Sequence, residues 1–253
     1  MLNREELNKY GPPGFHLMQK EKDYMQHWIL SFLSQSGFGG VFKGGTCLQK
    51  AFGLPRYSED LDFTLNDAEK PDFDALSAYL SSAGFSGIII KKTESNVSDT
   101  VKLRFRGPVY NGKTISEGSV TLDFSKRERT ILEAKPVLIT PPYTDILPYQ
   151  IRVMDKEEMA AEKVRAIFTR KSARDLYDIY FLLHQKTVLR LEFIENKLAY
   201  NDLKFDYNAA ERKIMDLEKI WDREMLVLTK NVLDFGLVSG LVLTMMKRLR
   251  PSE

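Results

Sequence analysis

Between Phe42 and Phe63 the chain reads FKGGTCLQKAFGLPRYSEDLDF, and two carboxylates within it, Asp60 and Asp62, are separated by one residue. Side chains on a strand return to the same face at every second residue, so on a strand this pair points one way, about 7 Å apart along the chain. Like charges that close on one face repel unless a cation joins them. Upstream, Gly44-Gly45 stand just before a predicted helix start, where backbone N–H groups attract phosphate. The spacing therefore suits a metal ion and a polyphosphate held together.

A two-metal site needs a third acid, and the stretch Ser119-Val120-Thr121-Leu122-Asp123-Phe124 offers Asp123 between two bulky apolar neighbours. If that strand pairs beside the Asp60 strand, the three carboxylates share one sheet face and suit two Mg²⁺ ions. One ion bridges the triphosphate, and the other lowers the pKa of an attacking hydroxyl. Read alone, Asp123 is equally a solvated strand acid.

The second informative stretch runs from Ala160 to Leu183. If one helix covers it, Lys163, Arg170 and Arg174 lie within about 40° of one another and line one face. Ser172-Ala173-Arg174-Asp175 also matches a capping box, which predicts a break near Arg170 and a restart at Ser172. Asp175 then reads either as part of a site or as a capping acid at a helix N-terminus. Asp178 reads either as functional or as a solvated surface charge.

In order and spacing, the pattern Lys43-Gly44-Gly45-Thr46-x-Leu48, then Arg56-x-Ser58-x-Asp60-Leu61-Asp62-Phe63, then Glu162-Lys163-x-Arg165-Ala166 through Arg170-Lys171-x-Ala173-Arg174-Asp175-x-x-Asp178 resembles the AbiEii/AbiGii toxin family. The resemblance covers roughly Phe42 to Leu183 and extends to the MenT-like branch of the DNA polymerase β-like nucleotidyltransferases. It implies an α+β nucleotidyltransferase core with a mixed sheet flanked by helices, followed by an α-helical domain. It implies a metal-binding pair in Asp60 and Asp62, with Asp123 as the third acid by the strand argument. It also implies a phosphate-cradling turn at Gly44, Gly45 and Thr46, with Lys43 and Ser58 beside the nucleotide. Lys163 is the lysine placed on the triphosphate, and Arg170, Arg174, Asp175 and Asp178 complete the site. The implied cofactor is Mg²⁺ or Mn²⁺, with an NTP as substrate. The implied reaction is attack of an acceptor hydroxyl on the α-phosphate with loss of pyrophosphate, aided by Asp123 or a metal.

By the same resemblance the acceptor is a tRNA 3′ end and the protein is the toxin of a toxin–antitoxin pair, with a cognate antitoxin as partner. Lys91, Lys92, Lys102, Arg104, Arg106, Lys126, Arg127 and Arg129 would supply a basic margin for backbone contacts, or are ordinary solvated charges. A nucleotidyltransferase acting on a protein or small molecule, and a catalytically lapsed nucleotide-binding interaction module, are the alternatives. Four close unpaired charges argue against the lapsed module.

The elements that must position these residues follow from periodicity. Phe15–Ser34 carries a helical apolar stripe, Gly37–Phe42 reads as a strand, Thr46–Phe52 as a helix stopped by Gly53 and Pro55, and Ser58–Leu65 as a strand. Asp72–Ala83 reads as a helix closed by Gly84. Gly87–Thr93, Thr100–Arg106 and Gly118–Phe124 alternate as strands, with Asn111-Gly112 marking the hairpin turn between the last two. Prolines 136, 141, 142 and 148 precede a proline-free helical region beginning near Asp155. The expected division is residues 1–150 for the core and 151–253 for the helical domain.

The 253 residues carry 37 Lys and Arg against 35 Asp and Glu, so bulk charge neither requires nor excludes nucleic acid. One cysteine, Cys47, cannot pair within the chain, and MLNREELNKYG lacks a signal-peptide apolar run, which favours a reducing cytoplasm. The apolar window 233–246 is too short to span a bilayer. His16, His27 and His184 lack zinc-site spacing, Cys47 reads as a packing residue, and Trp28 and Trp221 as core anchors. The basic run Lys247-Arg248-Leu249-Arg250 suits a helix end or an RNA contact.

Overall fold

The computed structural model describes residues 1–249; Arg250 of the terminal basic run and Pro251 lie outside them. The chain divides into two compact units. The first comprises Met1–Gly53, Tyr57–Thr130 and Ala134–Val153, and the second Leu54–Arg56, Ile131–Glu133 and the chain from Met154 onward.

The first unit is built on one mixed sheet. Its elements in chain order are α1 (Arg4–Tyr10), α2 (Leu17–Gln35), β1 (Val41–Lys43), α3 (Gly44–Phe52), β2 (Leu61–Thr64), α4 (Phe73–Ser82), β3 (Ser86–Glu94), β4 (Ser98–Arg106), β5 (Gly118–Ser125), β6 (Lys135–Ile139) and β7 (Tyr149–Val153). The seven strands run in the order β3-β4-β5-β2-β1-β7-β6. β2 pairs with β5, and β1 with β7, in parallel; the other neighbours are antiparallel.

Alternation decides the two faces. On β4, Asp99, Val101, Leu103 and Phe105 are buried, as are Val120, Leu122 and Phe124 on β5, so this side meets the core. Phe63 and Phe124 stack there at 5.4 Å. The odd positions of β5 and the even positions of β4 stand on the opposite, open face.

Helix ends follow local chemistry. The Asp72 side chain accepts from the N–H groups of Asp74 and Ala75 to start α4. Gly53, in the left-handed region at φ 78°, closes α3. α1 lacks a sequence-derived counterpart, although Asn3 and Glu6 form a capping box that marks its start.

Four expectations change. The strand read as Ser58–Leu65 begins only at Leu61. Gln26 Nε2 donates to the carbonyls of Ser58 and Glu59, and Thr46 donates to that of Asp60, so those three carbonyls bond side chains instead of a neighbouring strand. Asn111-Gly112 sits in a loop with a short 3-10 turn at Thr114–Ser116, not in a tight hairpin. Asn111 Oδ1 there accepts from the Ser116 hydroxyl at 2.8 Å. Finally, the strand read as Gly37–Phe42 begins only at Val41; the proline-marked region also contains β6 and β7, where Pro136 is tolerated because β6 is an edge strand.

The second unit is helical: α5 (Lys156–Thr169), α6 (Ala173–His184), α7 (Leu191–Ala199), α8 (Tyr207–Met215), α9 (Glu218–Leu228) and α10 (Phe235–Lys247). Trp221 is buried and donates its indole N–H to the Leu233 carbonyl at 2.8 Å. Among the described residues, no helix is long and apolar enough to cross a membrane.

Candidate active site

In the first unit the Gly-Gly turn and the acids meet through β1 and β2. Lys43 faces Asp62 in the antiparallel register, and Asp62 faces Asp123 across the parallel β2–β5 pair. Residues opposed in register project to the same side, so Lys43, Asp62 and Asp123 form one row on the open face. Thr100 extends that row and donates its hydroxyl to Asp123 Oδ2 at 2.9 Å.

Gly44 lies against Asp62. Its φ is 77°, and a Cβ there would stand 2.3 Å from Asp62 Oδ2 and 3.1 Å from Asp62 Cγ. Glycine is required on two counts, a left-handed backbone and the space taken by the carboxylate. Lys43 is buried, with its ammonium 3.8 Å from Glu128.

The hydroxyls of Thr46 and Ser58 are both buried and lie 2.8 Å apart. Thr46 Oγ1 also reaches the Asp60 carbonyl at 2.5 Å. Together they latch the start of α3 to the segment leading into β2, which fixes the backbone at Asp60. Asp60 itself lies just before the strand, so strand alternation does not set its direction.

Among the described residues, no three His, Cys, Asp or Glu side chains gather closely enough to hold a metal ion. The three-acid cage expected from sequence is therefore not assembled in this conformation. In chemical type the residues nonetheless fit a hard divalent cation. Asp62 and Asp123 are oxygen donors opposed in register, and the space that a Gly44 Cβ would fill lies at the Asp62 carboxylate.

Cys47 is fully buried, and burial, followed by the nearby Asp62 charge, pushes its thiol well above the ordinary range. It is a packing residue and not a nucleophile. His27 is held neutral, its pKa pushed down to about 3 by burial and then by the Lys50 charge.

In the second unit α5 ends at Thr169 and α6 begins at Ala173, so the three cations do not line one continuous helix. Ser172 is the N-cap, but its side chain makes no capping bond. The N–H of Ala173 instead donates to Glu224 of α9 at 2.9 Å. Asp175 is thereby released from capping. It accepts a two-pronged contact from Arg170, at 2.7 and 2.8 Å, and faces Lys163 Nζ at 3.1 Å.

Lys163 also lies 2.8 Å from Asp178, and Asp178 takes a bidentate contact from Arg56, both distances 2.6 Å. Lys163, Asp175, Asp178 and Arg56 are buried, whereas Arg170 reaches solvent. Burial opposes the Lys163 charge, but Asp178 and Asp175 overcome it and hold the ammonium above its usual pKa. Burial likewise opposes ionisation of Asp178 and Asp175; Arg56 with Lys163, and Lys163 with Arg170, keep both carboxyls below their usual range. The cluster retains one positive charge in excess. Lys163 is thus a paired cation, which withdraws it from the case built on unpaired charges. Arg174 stands half-buried outside this cluster.

Arg56 had no assigned role in the sequence, although it sits two residues before Ser58 in the motif. Its partner is 122 positions away, and no local pattern announces that contact.

A family model described as nucleotidyl transferase AbiEii toxin, type IV toxin–antitoxin system, matches residues 28–236. Among solved structures, MenT4, a nucleotidyltransferase toxin from Mycobacterium tuberculosis, is similar with a TM-score of 0.64 and 20% identity, over 98% of this chain and 90% of that one. JHP933 from Helicobacter pylori is similar with a TM-score of 0.56 and 21% identity, over 98% and 93% of the two chains. A putative nucleotidyltransferase from H. pylori gives 0.53 and 22%, over 92% and 97%. A search of curated proteins finds no significant match.

Proposed function

Because this chain belongs to the AbiEii nucleotidyl transferase toxin family, we propose that it transfers a nucleoside monophosphate from an NTP to an RNA acceptor, a tRNA 3′ end first among them. It does so as the toxin of a pair whose second member is a cognate antitoxin, acting in the cytoplasm. The observation that carries the reading is the parallel β2–β5 register, which opposes Asp62 and Asp123 while Gly44 abuts the Asp62 carboxylate.

Asp60, Asp62 and Asp123 are the residues that would hold Mg²⁺ or Mn²⁺. When bound, such an ion neutralises phosphate charge and makes an acceptor hydroxyl more acidic. The chain's own part is positioning. Gly44 and Gly45 bring backbone N–H groups to the phosphates. Thr46 and Ser58 hold the Asp60 backbone, and Thr100 orients Asp123 through its Oδ2. Lys43 supplies positive charge to the nucleotide, and within the second unit Asp175 and Asp178 fix the Lys163 ammonium while Arg170 holds Asp175. Phosphoryl-type transfer draws most of its rate from such placement and charge compensation.

The test is incorporation of each radiolabelled NTP into total tRNA with Mg²⁺, with and without chelator, followed by sequencing of product ends. Label enters RNA, chelation abolishes it, and Asp60→Ala and Asp62→Ala each reduce it to background. Near wild-type incorporation by either variant would overturn the acid assignment. Label on protein or a small molecule would overturn the RNA acceptor, and tight NTP binding without transfer would overturn the enzyme reading.

A further inference from the structure

The basic margin expected from sequence separates in the structure into two sides of the sheet. Lys92 opposes Val101 on the core side and sits 4.8 Å over the Phe73 ring. Lys126 and Lys70 are neutralised on that side by Asp99, at 2.6 and 3.1 Å, with Glu94 also on Lys70. Arg129 pairs with Asp67.

The open face differs. Lys91 opposes Lys102, Ile89 opposes Arg104, and Lys102 and Arg104 in turn oppose Thr121 and Ser119 of β5. Arg104 and Arg106 share one carboxylate, Glu117, at 2.5 and 3.0 Å. Lys91 and Lys102 are exposed and make no ion pair among the described residues. With Asp123 on β5 counted beside Glu117, four cations face two acids on these three strands, which leaves a surplus positive charge, and two like charges stand directly opposed. Such a pair is destabilising in the isolated sheet and is relieved by an anion.

This surplus begins beside the acids. From strand spacing, Lys102 lies about 8 Å and Lys91 about 12 Å, Cα to Cα, from Asp123. Thr121 opposes Lys102 and Thr100 opposes Asp123 across that interval, and the strand positions of this face carry no aromatic side chain for base stacking.

We infer that the open face of β3, β4 and β5 is the track for the acceptor strand: a single-stranded RNA end whose backbone phosphates lie on Lys91 and Lys102 while its terminal hydroxyl reaches the Asp62–Asp123 row. This rests on the RNA-acceptor reading above. With phosphates contacted and no stacking platform, the track tolerates sequence and its binding depends steeply on salt.

The experiment follows fluorescence anisotropy of a labelled single-stranded RNA with a free 3′ hydroxyl, titrated with the whole protein from about 50 to 200 mM salt. It compares wild type, Lys91→Ala/Lys102→Ala and Lys92→Ala. Thermal melts confirm folding, and NTP affinity is measured in parallel. For two lost phosphate contacts the log–log salt slope of the double variant falls by about 1.4, its RNA affinity drops, and its NTP affinity holds. Lys92→Ala removes the neighbouring charge from the other side of the sheet and matches wild type. An unchanged slope in the double variant, or an equal fall in Lys92→Ala, overturns the track. If wild type labels RNA while the double variant binds as wild type does, only the track fails. If wild type neither binds nor labels RNA, the acceptor reading itself fails and the track falls with it.

Discussion

Replacing Gly44 with alanine separates backbone strain from site geometry. The new Cβ would lie 2.3 Å from Asp62 Oδ2, with Asp62 Cβ and Cγ both at 3.1 Å. Relief to an ordinary contact requires the carboxylate to move by about 1 Å, and a misplacement of that size at a reacting centre costs on the order of 10²-fold in rate. The left-handed backbone adds roughly 1–2 kcal/mol of strain, which lowers the melting temperature by about 2–8 °C in a protein of this length. Gly53 supplies the control: its φ is 78°, and a Cβ there meets nothing within 4 Å. Gly53→Ala carries the same strain without touching Asp62. The assay is single-turnover incorporation of labelled NTP into RNA, beside thermal melts of both variants. Both proteins melt a few degrees early, but only Gly44→Ala loses about two orders of magnitude in rate. A folded Gly44→Ala protein within a few-fold of wild-type rate would refute the placement of Asp62 at the reacting centre.

Two further outcomes follow from buried charge. Arg56→Ala leaves Asp178 buried with only Lys163 in compensation, at a cost of about 3–5 kcal/mol in denaturant unfolding. Adding Asp178→Asn recovers a large part of that loss, and strict additivity of the two changes would refute the pairing. Glu21 is buried, accepts the Val109 N–H at 2.7 Å through Oε1, and leaves Oε2 without a partner. Burial, only partly offset by that bond, raises its pKa to about 7 from 4.5. The folded state therefore binds a proton that the unfolded state has lost between these values, so stability is retained at low pH and declines as pH rises to about 7. Glu21→Gln removes that decline, and its stability relative to wild type improves by up to about 3 kcal/mol from pH 4.5 to 7.5. A pH-independent difference in chemical denaturation would contradict this.

Much of the site was legible locally. The Gly44-Gly45 turn, the strand alternation that turns Asp62 outward, and the restart at Ser172 all depend on neighbours a few residues apart. Asp175 reads locally as a site residue or as a capping acid, because a capping box is a local pattern that cannot name more distant partners. Its partners Lys163 and Arg170 come from the preceding helix and its close, and Glu224 of α9 takes over the capping. The strand through Ser58–Asp60 was over-extended for the same reason: alternation continues there, but side chains of Gln26 and Thr46 bond those carbonyls.

The chain by itself determined which residue types stand at which spacing and which short elements present them, since helical and strand periods and glycine's conformational range reside in adjacent residues. Tertiary structure alone decided that β2 lies parallel to β5 with Asp62 opposite Asp123, that Arg56 finds Asp178, and that Lys91 and Lys102 share the acid face while Lys92 turns away. Strand register and buried ion pairs join residues tens to more than a hundred positions apart. Their partners are selected by burial and by the cost of leaving a charge or a backbone group unpaired, and no short stretch of sequence encodes that choice.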